Sequence, residues 1–497
     1  MIKRKLFIIS ILVILFSTSF FSLTSMSNGI DNEISSSSLK TSSLDYKNAT
    51  IISDSAIPWN DGVSYDPKIA IDNSGTIHVV WEDYTVGAWG TDVEIMYASS
   101  SDGITWSNAT VVSDDVTGWN DGSSYDTDIA VDKTRKIHVV WEDNTNGAWG
   151  TDTEIMYTSS SDGITWSNAT VISDDGTLWN NDGSYNPSIT VDKTNEIHIV
   201  WLDYTDGAWG TDSEIMYTSS SDGITWSNAT VISDSATPWN DQASQDPNIA
   251  TDNSGTIYVV WEDNTDGTWG TDYEIMYTSS SDGITWSNAT VISDDGTNWN
   301  DDSSYNPSIA INSTGNIHVV WYDYTDGDWG TDIEIMYASS IDGITWSKGI
   351  VISDLHNGII WNDGASWEPS IAIDKTDKIH VVWYDYTPGL WGADSEIMYT
   401  SKIGTEWSLP YVISDDQTYW NDGDSYNLDI TVDTNGKAYV VWEDDTNGAW
   451  GIDREIMFTS FTAFTPSSGG GISFGYTFIF FMIIGVISII GYTKKKL

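Results

Sequence analysis

The 497-residue chain carries 73 Asp and Glu against 19 Lys and Arg, a formal net charge of −54. A surface so acidic repels nucleic acid and anionic membranes, and suits cation binding or high ionic strength. With no cysteine there is no disulfide and no thiolate metal site, so burial must hold the fold, and 28 Trp and 25 Tyr supply it.

Residues 1–5 (MIKRK) are basic, residues 6–16 are an unbroken apolar run, and a small-residue stretch follows. This is the layout of a secretory signal peptide over 1–28. No A-x-A cleavage site follows, so an uncleaved N-terminal anchor is the alternative. Residues 29–46, rich in Ser, read as a flexible lead-in.

The region 47–464 is repetitive. The run IHVVW begins at Ile77 and returns at Ile137, Ile197, Ile257, Ile317, Ile379 and, altered, at Ala438, a period of about 60 residues. In the first full unit SYDPKIAID (64–72) reads as strand A and IHVVWED (77–83) as strand B. EIMYASS (94–100) reads as strand C and TWSNATVVSD (105–114) as strand D. β-Branched and aromatic residues mark the strands; Gly, Asn and Asp mark the turns. Four strands per unit with no helical period predict one propeller blade per repeat. The chain enters on a D strand (NATIISD, 48–54) and leaves on a C strand (EIMFTSF, 455–461), so repeats and blades are out of phase. The expected architecture is an all-β, seven-bladed propeller of four-stranded antiparallel blades. The N-terminal strand closes its last blade and removes the open edges.

A short linker, 465–471, follows. Residues 472–492 are uncharged and span roughly 31 Å as a helix, enough to cross a bilayer core of about 30 Å. The basic tail 493–497 then lies in the cytoplasm and the propeller outside the cell.

The turn SSDGITW stands at Ser100–Trp106, Ser160–Trp166, Ser220–Trp226 and Ser280–Trp286, with SIDGITW at Ser340–Trp346 and a degenerate SKIGTEW at 401–407. It resembles the Asp box of sialidases and other BNR-repeat propellers, S-x-D-x-G-x-T-W, one residue shorter between Asp and Gly. The resemblance covers 47–460 and implies a propeller in which Asp102, Asp162, Asp222, Asp282 and Asp342 are structural. The Asp accepts turn N–H groups, the Gly permits positive φ and the Trp packs between strands. Sialidases also clamp a substrate carboxylate with three arginines. This chain holds Arg4 in the signal segment, Arg135 in an A–B turn away from the usual ligand face, and Arg454, which stands alone. No clamp can be assembled from them, and no catalytic residue is assigned. Features unique to one unit cluster in the sixth: His356, a two-residue loop insertion, Trp367 and Glu368.

The D–A and B–C loops share the face where propellers usually bind ligands. The D–A loops carry W-N-D, with Trp59 and Asn60, then Trp119, Trp179, Trp239, Trp299, Trp361 and Trp420. The B–C loops carry Trp89, Trp149, Trp209, Trp269, Trp329, Trp391 and Trp450. Acids surround them, as in Asp83, Asp92 and Glu94; Asp143, Asp152 and Glu154; and Asp203, Asp212 and Glu214. Three readings stand side by side. The Trp residues plug gaps between blades and the acids cap turns; or the acids hold Ca²⁺, a hard cation that wants oxygen ligands; or the Trp rings stack on sugars while Asn and Asp bind hydroxyls. Strand A opens on Asp66, Asp126, Asn186, Asp246, Asn306, Glu368 and Asn427, which a closed ring would set around its central channel. The strand B histidines alternate with Tyr258 and Tyr439, which suits packing rather than metal ligation.

These features predict a single-pass membrane protein with an extracellular propeller that binds glycans or a surface protein through its D–A and B–C loop face, without a nucleic-acid partner. The alternative is a sialidase-like glycoside hydrolase with a carboxylate-based site.

Overall fold

The computed structural model describes residues 49–462, except 54–61, 88–89, 115–121, 148, 175–179, 181, 208, 235–241, 268–269, 295–301, 328, 355–363, 389–393, 416–422 and 447–452. The expected signal peptide, lead-in, linker, transmembrane helix and tail lie outside the described residues. Among the described residues every regular element is a β-strand, and no helix is long and apolar enough to cross a membrane.

Seven antiparallel sheets form, one per repeat. In the first, A (Ser64–Ile71) pairs B (Ile77–Asp83), B pairs C (Glu94–Ser100), and C pairs a short D (Thr110–Val111). The seventh blade takes A, B and C from Ser425–Val432, Lys437–Asp444 and Glu455–Thr462, and its outer strand is Thr50–Ile51 from the N-terminus. Thr50 lies opposite Phe458 and Ile51 opposite Met457, Ile52 N donates to Ile456 O at 2.8 Å, and Ser53 Oγ bonds Glu455 Oε2. The ring is therefore closed by backbone pairing, as the out-of-phase repeats predict.

The core lies between blades. Val79 and Met96 of blade one pack with Val441, Ile456 and Phe458 of blade seven, while Val80, Ile95 and Tyr97 pack with Ile129, Val139 and Trp141 of blade two. Successive residues of a strand point to opposite faces, and here both faces are covered. That is why IHVVW reads as a continuous apolar run rather than an alternating one.

Strand D is much shorter than the ten residues expected. It pairs at Thr110–Val111; before that Ser107 N, bonded to Ser99 O at 2.8 Å, holds the stretch to strand C, and Trp106 beside it reaches the preceding blade. The Trp106 ring meets Phe458 edge-on at 5.0 Å, and Trp166 meets Tyr97 at 5.1 Å. The Asp box acts as expected: Asp102 Oδ1 accepts Ile104 N and Thr105 N, each at 2.8 Å. Gly163 has φ +68, and a Cβ there would lie 2.6 Å from the Tyr97 hydroxyl, so the glycine serves both the turn and the interblade contact. His78 Nδ1 bonds Tyr97 OH at 2.8 Å, while Tyr258 and Tyr439 instead donate to Asp252 and Asp433.

Candidate functional site at the channel mouth

Every A strand is irregular at its start. In blade one the ladder runs from Tyr65 opposite Glu82 to Lys68 opposite Val80, with a register shift between. Asp66 sits in that shift with φ +43, as do Asp126 (+43), Asn186 (+50), Asp246 (+46), Asn306 (+51), Glu368 (+48) and Asn427 (+38). Left-handed backbone suits Asp and Asn and strains Glu. The kink turns all seven side chains into the central channel, as expected, where they line a cavity of about 550 Å³. Neighbouring blades hold the kinks in place. Asp126 N donates to Glu82 Oε1 at 2.8 Å, Asn306 N to Glu262 Oε2 at 3.1 Å, and Asp66 N to Glu443 Oε2 at 3.3 Å across the closure.

The channel is crowded with acids. Burial raises Glu82, Glu142 and Glu262 above the ordinary carboxylate range, and nearby Asp66, Asp126 and Asp246 respectively push them further. Glu368 is pushed up to about 7, by burial first and then by Asp66. Asp128 is pushed to about 6 by burial. Lys68 bonds Asp66 Oδ1 at 2.6 Å. Burial alone would lower Lys68, but Asp66, Asp429 and Asp128 outweigh it and hold it protonated. Among the described residues, one group brings three carboxylates within metal-ligating reach: Asp66, Glu82 and Asp126.

The mouth is not seven-fold symmetric. The position of Glu82 is Glu in blades one, two, four and seven, Leu202 in blade three, and Tyr322 and Tyr384 in blades five and six. Blade six also puts Trp367 where blade one has Tyr65. The result is an aromatic arc over blades five to seven. Tyr322 lies 5.1 Å from Trp367, Tyr324 lies 5.8 Å from Trp367, and Tyr384 lies 5.6 Å from Tyr426. Arg454 does not stand alone: Nη1 meets Glu443 Oε1 at 2.9 Å, and the guanidinium lies 5.0 Å from the Tyr65 ring and 5.2 Å from Tyr426. Tyrosine pairs also stand in blades one and three, Tyr65 with Tyr84 at 5.3 Å and Tyr185 with Tyr204 at 5.7 Å. The tryptophan and the two tyrosines at the Glu82 position, however, are confined to blades five and six, and a cation packed between tyrosines joins blade seven to blade one.

A sequence profile for the BNR repeat-like domain matches residues 139–347, from strand B of blade two to the Asp box of blade five. The matched stretch, less than half of the chain, is similar to a BNR repeat-like domain, and it lies within the seven-bladed propeller. No curated protein matches it by sequence. Among solved structures it is similar to a Dyadobacter fermentans protein of unknown function, at 11% identity over 69% of this chain and 95% of that one, TM-score 0.46. It is similar to the intramolecular trans-sialidase of Ruminococcus gnavus, at 13% identity over 83% and 97%, TM-score 0.42. It is also similar to the GH93 α-L-arabinofuranosidase of Fusarium graminearum, at 14% identity over 84% and 98%, TM-score 0.45. Likenesses this distant carry no argument about what this chain does.

The loop residues singled out by sequence fall in other places. Trp149, Trp209 and Trp329 are half-buried, and each Nε1 donates to a carbonyl of its own loop, such as Thr145 O at 3.1 Å. The other loop tryptophans (Trp59, Trp89, Trp119, Trp179, Trp239, Trp269, Trp299, Trp361, Trp391, Trp420 and Trp450) lie outside the described residues, with Asn60 and His356. Asn180, the unit-three counterpart of Asn60, is buried and donates to Ser184 Oγ at 3.1 Å while accepting from Thr205 Oγ1. Asp83 accepts Thr85 N at 2.8 Å, Trp81 Nε1 at 3.1 Å and Ser64 Oγ at 3.2 Å; Asp143 and Asp203 are bonded alike. Glu94 and Glu154 are fully buried, each bonded through Oε2 to a strand D serine at 2.5 Å, with Oε1 unpartnered. Glu214 bonds Ser233 in the same way. Asp92, Asp152 and Asp212 each accept the N–H of the residue before them. None of these nine acids belongs to the three-carboxylate group in the channel.

The mouth residues Tyr322, Tyr384 and Arg454 were not foreseen as site residues. A signal for them existed. Among near-identical repeats, the positions of Tyr65, Asp66, Lys68, Glu82 and Tyr84 change from unit to unit while Ser64, Ile69, Trp81 and Asp83 recur in all seven.

Proposed function

We propose that this propeller is a membrane-anchored, extracellular glycan-binding protein whose site is the channel mouth on the D–A and B–C loop face. The observation that best supports this reading is the aromatic arc of Tyr322, Trp367 and Tyr384, in which both tyrosines lie near enough to Glu368 of the channel lining to feel its charge. Aromatic faces stack on the apolar faces of sugar rings, while Glu368, Asn306 and Asn427 offer donors and acceptors to hydroxyls. The acidic channel and the missing arginine clamp disfavour anionic glycans, so neutral or amino sugars fit. A glycan array probed with the full-length protein tests this. Binding should be confined to neutral and basic glycans and should weaken roughly tenfold or more in Trp367→Ala, as loss of a central aromatic contact does. Binding unchanged in both Trp367→Ala and Tyr322→Ala would move the site to the loop tryptophans. No glycan binding at all would favour a protein partner.

Glycoside hydrolysis is the second reading, and one observation favours it: Glu368 is held near neutrality, the state a general acid needs. A panel of chromogenic glycosides separates the two. Turnover that vanishes in Glu368→Gln would make the mouth catalytic, and no turnover by the parent chain would remove this reading.

A further inference from the structure

The two ends of each blade differ in chemistry. At one end Ser64, Asp83 and Glu94 align and lead to the D–A and B–C loops; at the other Ile71, Ile77 and Ser100 align and lead to the A–B and C–D turns. Each C–D turn lifts an isoleucine into solvent. Ile104, Ile164, Ile224, Ile284 and Ile344 are 60%, 77%, 81%, 83% and 81% exposed. Blade five adds Ile341, and blade six, whose Asp box has lost its aspartate, still exposes Ile403 at its tip. Single exposed apolar residues are ordinary, but here the same tip is apolar in six consecutive blades. The turn needs only the backbone of this residue, whose N–H goes to the Asp-box carboxylate.

The same end gathers the cations. Among the described residues every Lys and Arg other than Lys68 and Arg454 lies there. Lys133, Arg135, Lys193 and Lys375 project from A–B turns and Lys348 follows a C–D turn, all exposed. The acids of this end stay ionised: against burial, which would raise Asp72, hydrogen bonds from Ser74 and Thr76, N to Oδ1 at 2.8 Å each, hold it below the ordinary carboxylate range. Carboxylates still outnumber cations along these turns, so the repulsion of anionic membranes extends to this face, and a lipid surface docked on it must be zwitterionic.

The chain also leaves from it. Thr462 lies opposite Lys437, the first residue of strand B in blade seven. Residues 463–471 reach at most about 30 Å when fully extended, and the uncharged segment 472–492 follows.

We propose that the A–B and C–D turn face is a docking surface for a zwitterionic bilayer, on which the isoleucine tips enter the lipid interface. The inference rests on the reading of 472–492 as a membrane anchor. It turns the channel mouth away from the bilayer, toward ligands in the surroundings.

The chain has no cysteine, so a single introduced one carries a fluorophore at a known place. Ile284→Cys and Thr271→Cys put it beyond opposite ends of strand C of blade four, Glu274–Ser280, roughly 20 Å apart or more. The full-length protein is reconstituted in phosphatidylcholine vesicles with and without nitroxide-labelled phosphatidylcholine. Emission from position 284 should fall roughly twofold or more with the nitroxide, as for a group in the lipid interface, and emission from position 271 should not change. Protein that floats with the vesicles but shows no quenching at 284, or equal quenching at both positions, overturns the docking face and leaves the anchor standing. Protein that does not float overturns the anchor, and the docking face with it. Replacing Ile104, Ile164, Ile224, Ile284 and Ile344 by Ser should leave the melting temperature unchanged, because these side chains are already exposed. The same replacement should reduce quenching of a label at Lys348→Cys, and undiminished quenching there would show that the isoleucines do not dock.

Discussion

Ring closure makes a sharp prediction, because a strand of two residues carries it. Deleting residues 45–56 removes Thr50–Ile51 from the seventh blade, and with it Ile52, which is 3% exposed in the cluster of Tyr439, Ile456 and Phe458. Returning a buried Ile to water costs about 2–3 kcal/mol. The bonds from Ile52 N to Ile456 O and from Ile456 N to Ser53 Oγ, both 2.8 Å, and the Ser53–Glu455 pair contribute about 1 kcal/mol each. The sum is roughly 5 kcal/mol. At about 2.1 cal/mol/K per residue over roughly 400 residues, the unfolding entropy is about 0.85 kcal/mol/K, so the melting temperature should fall by about 6 °C. The bared edge of Glu455–Thr462 should also recruit other chains and promote aggregation. Calorimetry and light scattering on the truncated and parent chains measure both effects. A synthetic peptide of residues 45–56, added in excess, should recover most of the loss by strand addition. A truncated chain that melts with the parent, or one that the peptide does not rescue, would refute closure as the source of stability.

Three further outcomes are expected. A fluorogenic sialoside should not be turned over, because Arg135 and Arg454 stand at opposite ends of the blades; robust hydrolysis would show the site misjudged. Stability should fall as pH rises from about 4.5 to 8, because Glu94 and Glu154 are raised from 4.5 to about 8, by burial first, so the folded chain holds protons that the unfolded chain releases. Each such group contributes at most about 1.4 kcal/mol per pH unit; Glu154→Gln should flatten the profile by one group's share, and a melting temperature level across this range would sink the argument. Millimolar Ca²⁺ at pH 8 should raise the melting temperature more than NaCl of equal ionic strength, since Asp66, Glu82 and Asp126 come within ligating reach of one another; identical melting with Ca²⁺, chelator and matched NaCl would show that these acids hold no cation.

The sequence by itself determined the blade. The alternation of β-branched residues with Gly and Asp turns, the period, and the phase offset between NATIISD and EIMFTSF led to seven closed sheets, because strand pairing and turn chemistry are local and repeat with the chain. The ring of Asp66 and its equivalents was also legible, since a position that recurs once per blade must recur around the axis. The length of strand D was not: the β-pattern of 105–114 runs on through Asn108 and Ala109, where the backbone pairing to strand C lapses, and the partner of Trp106 is Phe458 of another blade. Arg454 meets Glu443 and Tyr426 within its own blade, on strands 11 and 28 residues away in sequence, and Tyr65 of blade one joins them only when the ends of the chain meet. The same is true of the mouth and of the turn face. Which side chains share a surface depends on which end of each strand they occupy and on how many blades complete the circle, and those distances are set by closure, not by separation along the chain.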